Sequence, residues 1–186
     1  MWQPLLEEDH LAVGGLLDEI RAALRSGADV RTTYELLDRV WARLAVHIRA
    51  EHLCLFPAVL EASRRELFEG QGGATPSGAE AEAAVERLRG DHDLFMRELA
   101  AAVNALRGAL SDPASRDAKA VLEDVRRAVE RVAARLEEHN ALEEEQVYRW
   151  ARELLPGEDE QARLAANLRR ELTNLPPRFS DRNSAL

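Results

Sequence analysis

Residues 47–57 read HIRAEHLCLFP, and residues 139–149 read HNALEEEQVYR. Each stretch begins with a histidine that is followed four residues later by a glutamate. Residues four apart lie on one face of an α-helix, so both side chains of a pair can point at one centre. With 23 glutamates in the chain, roughly 0.6 such pairs are expected by chance for five histidines, so one pair would mean little. The two pairs are His47 with Glu51 and His139 with Glu143.

Each pair lies on the apolar face of a long predicted helix. Apolar residues recur at steps of three and four through residues 37–67 and through residues 125–154, as on one side of an amphipathic helix. Residues 6–24 and 85–110 have the same periodicity. We therefore predict an all-α fold, an up-down-up-down four-helix bundle. The breaks between the helices are predicted at Ser26-Gly27, residues 70–78, Ser111-Asp112-Pro113 and Pro156-Gly157.

The chain continues beyond the fourth predicted helix. Three leucines at steps of four predict a short extra C-terminal helix, and the tail from Pro176 onward is expected to be mobile. The sequence thus predicts a helical bundle over residues 1–157. A C-terminal helix and a mobile tail are predicted over residues 158–186.

One further histidine lies on the apolar face of each remaining helix. An aspartate precedes each of these two histidines. A single histidine followed by a His-x-x-x-Glu pair thus occurs twice along the chain. At a rise of about 1.5 Å per residue, the distances to the interhelical breaks place the repeated residues at similar depths in the bundle. We therefore expect six side chains to converge: His10, His47, Glu51, His92, His139 and Glu143.

Six ionisable side chains in one apolar layer need compensation. Burying carboxylates and imidazoles without a partner is costly, and divalent cations would offset that cost. Mixed imidazole and carboxylate ligands suit iron, manganese or zinc rather than calcium or magnesium. Six ligands exceed those of a tetrahedral zinc site and favour a dinuclear centre in which the glutamates bridge. The alternative is a set of buried structural histidines, which the repetition on four helices disfavours.

Several neighbours of these residues have a structural as well as a functional interpretation. His52 is turned about 100° from Glu51 and is expected at the surface or behind a ligand. Cys54 is expected to be a small buried hydrophobe. Asp9 and Asp91 either orient the adjacent histidines or have a solvated or capping role.

The large apolar residues at helical spacing are expected mainly in the core. Trp41, Trp150, Phe95 and Met96 have helical spacing, and Pro57 is expected to kink or loosen its helix. For Phe56 and Tyr148, two roles stay open: packing in the core, or support of the predicted ligands. A solvated face is expected at Glu144 and Glu145.

The composition excludes several classes of protein. With 186 residues, of which 46% are hydrophobic and 32% charged, the chain suits one packed domain or a small pair. The net charge of -9 disfavours nucleic acid as a partner. One cysteine excludes an internal disulfide and any multi-cysteine zinc or iron–sulfur site within one chain. Without a basic leader or an apolar run of about 20 residues, the expectation is a cytoplasmic protein with no membrane partner.

The ordered motifs resemble those of the hemerythrin-like family, specifically its HHE cation-binding branch, over about residues 5–155. Members of that family are four-helix bundles that hold a non-haem di-iron centre with two bridging carboxylates. The resemblance implies two iron ions bound by the six residues above, with manganese or zinc as alternatives. The matching residues are His10, His47-Ile-Arg-Ala-Glu51, Leu55-Phe56-Pro57, His92 and His139-Asn-Ala-Leu-Glu143.

Two positions differ from the oxygen-carrying hemerythrins. Those proteins have a fifth histidine four residues after the third-helix histidine, where this chain has Met96. They also have an aspartate five residues after the last histidine, where this chain has Glu144. The set of four histidines and two glutamates is instead similar to that of family members linked to iron–sulfur repair and nitric oxide stress.

These observations predict a di-iron protein that binds or reduces oxygen, nitric oxide or peroxide, with an electron donor or partner protein. The alternative is an iron- or redox-responsive sensor without turnover, which a partner recognises through the C-terminal helix or tail. A purely structural bundle is disfavoured because six buried ionisable groups would lack a purpose. A nucleophilic enzyme is also disfavoured, since no Gly-rich phosphate loop or nucleophile elbow is present. The physiological ligand and the oligomeric state stay open.

Overall fold

A computed structural model describes residues 1–69, 76–112, 117–176 and 179 of the chain. These residues are helical apart from short connections, and no strand occurs among them. The predicted all-α class is therefore confirmed. Most of the predicted connector at residues 70–78, the centre of the turn after Ser111 and nearly all of the predicted tail lie outside the described residues. The helices are α1 Gln3–Arg25, α2 Val30–Ala50, α3 Phe56–Glu69, α4 Gly78–Ser111, α5 Ala118–Leu142, α6 Tyr148–Leu154 and α7 Glu158–Thr173.

Two single π-helical turns interrupt the α-helical geometry without ending the helix. The first π turn, Glu51–Leu55, joins α2 to α3, and the second π turn, Glu143–Val147, joins α5 to α6. The loosening expected at Pro57 is found as the π turn directly before it. The second π turn has Arg149 at the matching position, so proline is not required for this geometry. Such turns are frequent at functional sites, and here each begins at a glutamate of a repeated pair.

Local signals in the sequence account for the helix boundaries. Gly27 has a φ of 79°, a left-handed conformation that glycine adopts without strain, and it ends α1 as predicted. The carboxylate of Asp29 then accepts a hydrogen bond of 2.7 Å from the backbone N–H of Thr32 and caps α2. Ser77 and Asp117 cap α4 and α5 in the same way.

Four helices close a ring around the interior. Helix α1 contacts α2 and α5, α2 contacts α4, and α4 contacts α5. The α3 and α6 extensions pack against each other, and α3 also packs against α4. Each member of the ring contributes one apolar face to the core, as amphipathic periodicity requires.

A polar layer divides the core into two apolar clusters. The first core cluster contains Trp2, Phe56 and Tyr148, and the second contains Val13, Phe95 and Leu136. Along α1, Leu6 belongs to the first cluster and Val13 to the second, with His10 between them. The same order holds on α4 for Leu88, His92 and Phe95.

Helix α7 packs against the outside of the ring, on α1, α2 and the first π turn. The guanidinium of Arg49 donates to the carboxylate of Glu171 and to the backbone carbonyls of Glu171 and Asn174 at the end of α7. The predicted extra helix is thus present and tied to α2. Its three predicted leucines are buried in the first core cluster: Leu164, Leu168 and Leu172.

No helix within the described part of the chain is both long enough and apolar enough to cross a lipid bilayer.

Candidate metal centre

All six side chains predicted to converge meet in the polar layer. They form two overlapping groups of four, and in each group one potential ligand atom per residue lies within 4.8 Å of the others. The two glutamates belong to both groups and are 0% exposed. The first group is His10, His47, Glu51 and Glu143, and the second is Glu51, His92, His139 and Glu143.

Each glutamate lies between two histidines from different helices. Glu51 Oε1 is 3.0 Å from His47 Nε2, and its other oxygen, Oε2, is 3.3 Å from His92 Nε2. The second glutamate contacts the remaining two histidines, again with one oxygen for each, at 3.4 and 3.6 Å. The residues of this second arrangement are Glu143, His10 and His139. Both carboxylates are therefore placed to bridge two positions, each flanked by a pair of histidines.

The unpartnered atoms in this layer fit a cation. All four oxygens of Glu51 and Glu143 are buried and accept no hydrogen bond, although imidazoles lie close to them. Buried carboxylate oxygens without a donor are rare in folded proteins because their desolvation is costly. In addition, His92 Nε2 and His139 Nε2 face each other at 2.9 Å. A metal ion would bind these lone pairs and offset the buried negative charge.

Without a cation, the two glutamates hold protons very differently. Burial alone raises the pKa of Glu51, but His47 and His92 beside it hold that pKa well below the ordinary value. Burial and the charge of Glu51 raise the pKa of Glu143 well above the ordinary value. The metal-free layer therefore retains a proton on Glu143, which cation binding would release.

Burial also keeps two of the imidazoles uncharged. Burial and the neighbouring His92 lower the pKa of His139 to about 4, and burial and His47 lower the pKa of His10. Neutral imidazole is the form that ligates a metal ion. These two histidines are thus prepared for ligation near neutral pH.

Buried aspartates orient one histidine of each pair. Asp9 accepts a hydrogen bond of 2.9 Å from His47 Nδ1 and also contacts Arg43. The matching Asp91 lies 3.4 Å from Nδ1 of the second paired histidine, His139, and also pairs with Arg135. A proton on Nδ1 leaves the Nε2 lone pair facing the centre. The aspartates therefore serve histidines on a neighbouring helix, and neither orients the histidine adjacent to it in sequence.

The other two histidines also have partners behind them. Glu144 Oε1 lies 2.9 Å from His10 Nδ1, and His52 Nε2 lies 2.9 Å from His92 Nδ1. Glu144 is exposed, as expected for a solvated face, but its carboxylate also turns toward the buried imidazole of His10. The expectation for His52, a place at the surface or behind a ligand, is confirmed. Sequence reasoning missed Glu144 although it follows Glu143 just as His52 follows Glu51.

Aromatic rings cover the layer from the first core cluster. Tyr148 stacks on His10 and Phe56 stacks on His92, each with ring centroids 5.9 Å apart. Both aromatic residues directly follow a π turn, which brings a side chain five positions after each glutamate back to the same face. The Tyr148 hydroxyl lies 3.3 Å from His10 Nε2. These two rings therefore support ligands as well as pack.

Two further expectations concern residues outside the convergent set. Cys54 is buried in the first core cluster, where burial raises the pKa of its thiol, in agreement with the expected structural role. Met96 packs against the second core cluster and lines a cavity of about 390 Å³ with Trp41 and Val46. Its position supplies no imidazole, as the sequence indicated.

The fold and the cluster define a helical protein with a buried imidazole–carboxylate cluster that could hold metal ions. The sequence profile of the hemerythrin HHE cation-binding domain matches residues 3–151, and the chain belongs to this family. No curated protein and no solved structure gives a significant match to the chain.

Proposed function

We propose that this chain is a non-haem di-iron protein that binds or reduces oxygen, nitric oxide or peroxide within an up-down-up-down four-helix bundle. The observation that carries the proposal is the position of Glu51 and Glu143, each with one oxygen toward a histidine of either pair. A single ion would leave part of this set unused, whereas two ions use both carboxylates as bridges.

In this proposal the ligands divide by helix. One ion is held by His10 and His47 and the other by His92 and His139, with both glutamates shared. Imidazole together with carboxylate excludes calcium and magnesium as the preferred ions. Iron is proposed ahead of manganese or zinc because the family resemblance implies it.

The protein's own residues prepare the site for a small molecule. When bound, an iron pair would supply one-electron transfers to the small molecule. Asp9 and Asp91 fix the tautomer of two ligands, while Phe56 and Tyr148 exclude water from one side. Burial raises the pKa of Tyr148 well above the ordinary value, so its hydroxyl stays protonated. It can thus donate a hydrogen bond at the centre.

The alternative is an iron- or redox-responsive sensor without turnover. One observation favours it: Arg49, which lies between His47 and Glu51 on α2, holds the end of α7. Metal loading that shifts this turn of α2 would be transmitted to α7, where a partner protein could detect it. Retention of the same α7 amide exchange rates in metal-free and iron-loaded protein would contradict the sensor.

Metal content and reactivity test the proposal. The protein is loaded anaerobically with ferrous iron, analysed by plasma mass spectrometry and then exposed to air while its visible spectrum is recorded. We expect two irons per chain and ligand-to-iron charge-transfer absorption. Glu51→Gln should lose this stoichiometry and Glu145→Gln, at an exposed site, should retain it. One zinc or no stoichiometric metal would overturn the proposal.

Turnover separates the two candidate functions. Consumption of nitric oxide or peroxide in the presence of a reductant, at a rate dependent on iron loading, supports the reducing protein. Tight binding without consumption supports the sensor. A stress role, an electron-donor partner, a cytoplasmic location and the absence of nucleic-acid or membrane partners are proposed from the sequence, as is the domain division after residue 157.

A further inference from the structure

The partners of the four histidines repeat in the two halves of the polar layer. The first half is defined by His10 and His47, and the second half by His92 and His139. In both halves, an aspartate and an arginine lie behind the histidine of the His-x-x-x-Glu pair. In both halves, the residue after the glutamate lies 2.9 Å from Nδ1 of the lone histidine. The first-half pairs are Asp9 with His47 and Glu144 with His10, and the second-half pairs are Asp91 with His139 and His52 with His92.

The group behind one histidine breaks this repeat. Each aspartate pairs with an arginine, Asp9 with Arg43 and Asp91 with Arg135, which also pairs with Glu138. The lone histidine of the first half faces the carboxylate of Glu144, whereas His92 faces the imidazole of His52. Directly behind the histidines, the first half therefore has two carboxylates and the second half has one.

A carboxylate behind a metal-bound histidine makes that imidazole a stronger donor than a neutral acceptor does. The first half has such a carboxylate behind both of its histidines at 2.9 Å. The second half has one, Asp91, and it lies farther away at 3.4 Å. An ion in the first half therefore experiences more electron-rich ligands and a more negative local field.

We propose that the two metal positions are chemically unequal, and that Glu144 and His52 are the positioning residues that make them so. The position at His10 and His47 binds its ion first and more tightly and favours the higher oxidation state. The position at His92 and His139 holds the weaker, more easily reduced ion. This inference rests on the proposed function, because it requires two ions to bind.

Stepwise iron binding tests the inequality. Anaerobic titration of the full chain with ⁵⁷Fe(II), monitored by calorimetry, gives the two dissociation constants. After oxidation, Mössbauer spectra resolve the two irons. In the unaltered protein we expect constants separated by about tenfold, the lower end of the range for partners behind a ligand, because Glu144 is half exposed and screened. We also expect two distinct Mössbauer doublets of equal area.

The variants are predicted to act in opposite directions. Glu144→Gln should weaken the first binding step, and His52→Glu should tighten the second. In both variants the two dissociation constants should become more similar, and so should the two Mössbauer doublets. The double variant Glu144→His with His52→Glu exchanges the two partners and should restore the separation. A merely structural role predicts instead that the double variant binds iron worse than either single variant.

One control isolates the charge at Glu144. Glu145→Gln removes the same charge one residue further along, at an exposed side chain, and should leave both constants unchanged. Loss of the separation in this control would overturn the assignment to Glu144 and His52.

The failures of the two proposals are distinguishable. Uptake of fewer than two irons by the unaltered protein would overturn the di-iron proposal together with this inference. Two irons in every variant, with constants and doublets as in the unaltered protein, would overturn only the inequality.

Discussion

Glu143 is the residue at which stability and the proposed function conflict. Its carboxylate is fully buried beside Glu51, and its oxygens accept no hydrogen bond. A neutral side chain of the same shape would suit the metal-free interior better. An unfavourable group buried between two apolar clusters is typical of a functional site.

We predict that Glu143→Gln stabilises the metal-free protein at pH 8 by about 1–3 kcal/mol. The folded protein raises the pKa of Glu143, so the unfolded state loses this proton at a lower pH, and folded stability falls as pH rises above about 4.5. The amide cannot ionise, so the gain should be larger at pH 8 than at pH 5. Urea denaturation of metal-free protein at both pH values measures it. A destabilised variant at pH 8 would contradict the buried-carboxylate interpretation.

As pH falls, two histidines change the folded stability of the metal-free protein in the direction opposite to Glu143. Burial lowers the pKa of His10 and His139, the latter from 6.5 to about 4, so protons bind the unfolded state first as pH falls. Folded stability should therefore decrease between pH 6.5 and 4, even though the raised pKa of Glu143 acts in the other direction over part of this range. Denaturant midpoints across this range measure how folded stability depends on pH. His139→Asn should make this dependence less steep, and an unchanged slope would contradict the contribution of His139.

At the scale of the element, the π turns explain how one helix contributes both a glutamate to the polar layer and an aromatic ring that covers this layer. A π turn adds one residue to a helical turn. It places Phe56 and Tyr148 over the lone histidines, five positions after the glutamates. Because the turn after Glu143 forms without a proline, a proline is not required for this geometry.

We therefore predict that Pro57→Ala preserves both the π turn and iron uptake. Pro57 is exposed and lies in the first turn of α3, so the change in free energy of unfolding should stay within about 1 kcal/mol. Urea denaturation and plasma mass spectrometry provide the two measurements. Loss of iron from this variant would show that the proline itself maintains the first π turn.

At the scale of the whole molecule, the polar layer separates two apolar clusters that would otherwise form one core. Without a cation, this layer contributes buried carboxylates and an unpartnered imidazole nitrogen, His47 Nε2, where packing would contribute stability. Metal binding should therefore act as a cross-link between four helices.

Iron loading is expected to stabilise the folded chain strongly. An ion that binds only the folded state adds about 4 kcal/mol when its free concentration is a thousandfold above the dissociation constant. The thermal midpoint should rise on anaerobic ferrous loading and return on chelation. Calcium serves as the matched ion, because imidazole is a poor ligand for it and no comparable shift is expected. Equal shifts with both ions would indicate nonspecific binding to the acidic surface.

The six convergent residues were predictable because helical periodicity converts sequence spacing directly into position on a face. His-x-x-x-Glu needs only the geometry of one helix, and apolar neighbours indicate which face is buried. The N-cap at Asp29 and the end of α1 at Gly27 are equally local signals. The sequence alone therefore determined the helical class, the composition of the convergent set and several helix boundaries.

The partners behind the histidines could not be read in the same way. Asp9 supports His47 across two helices, and Glu144 supports His10 across 134 positions of sequence. These contacts depend on rotation and translation between helices, which periodicity within one helix does not constrain. The π turns were likewise unpredictable, because their cost is offset only by tertiary contacts of the rings they reposition. Tertiary structure alone decided which side chain lies behind each histidine, and hence that His10 faces a carboxylate where His92 faces an imidazole.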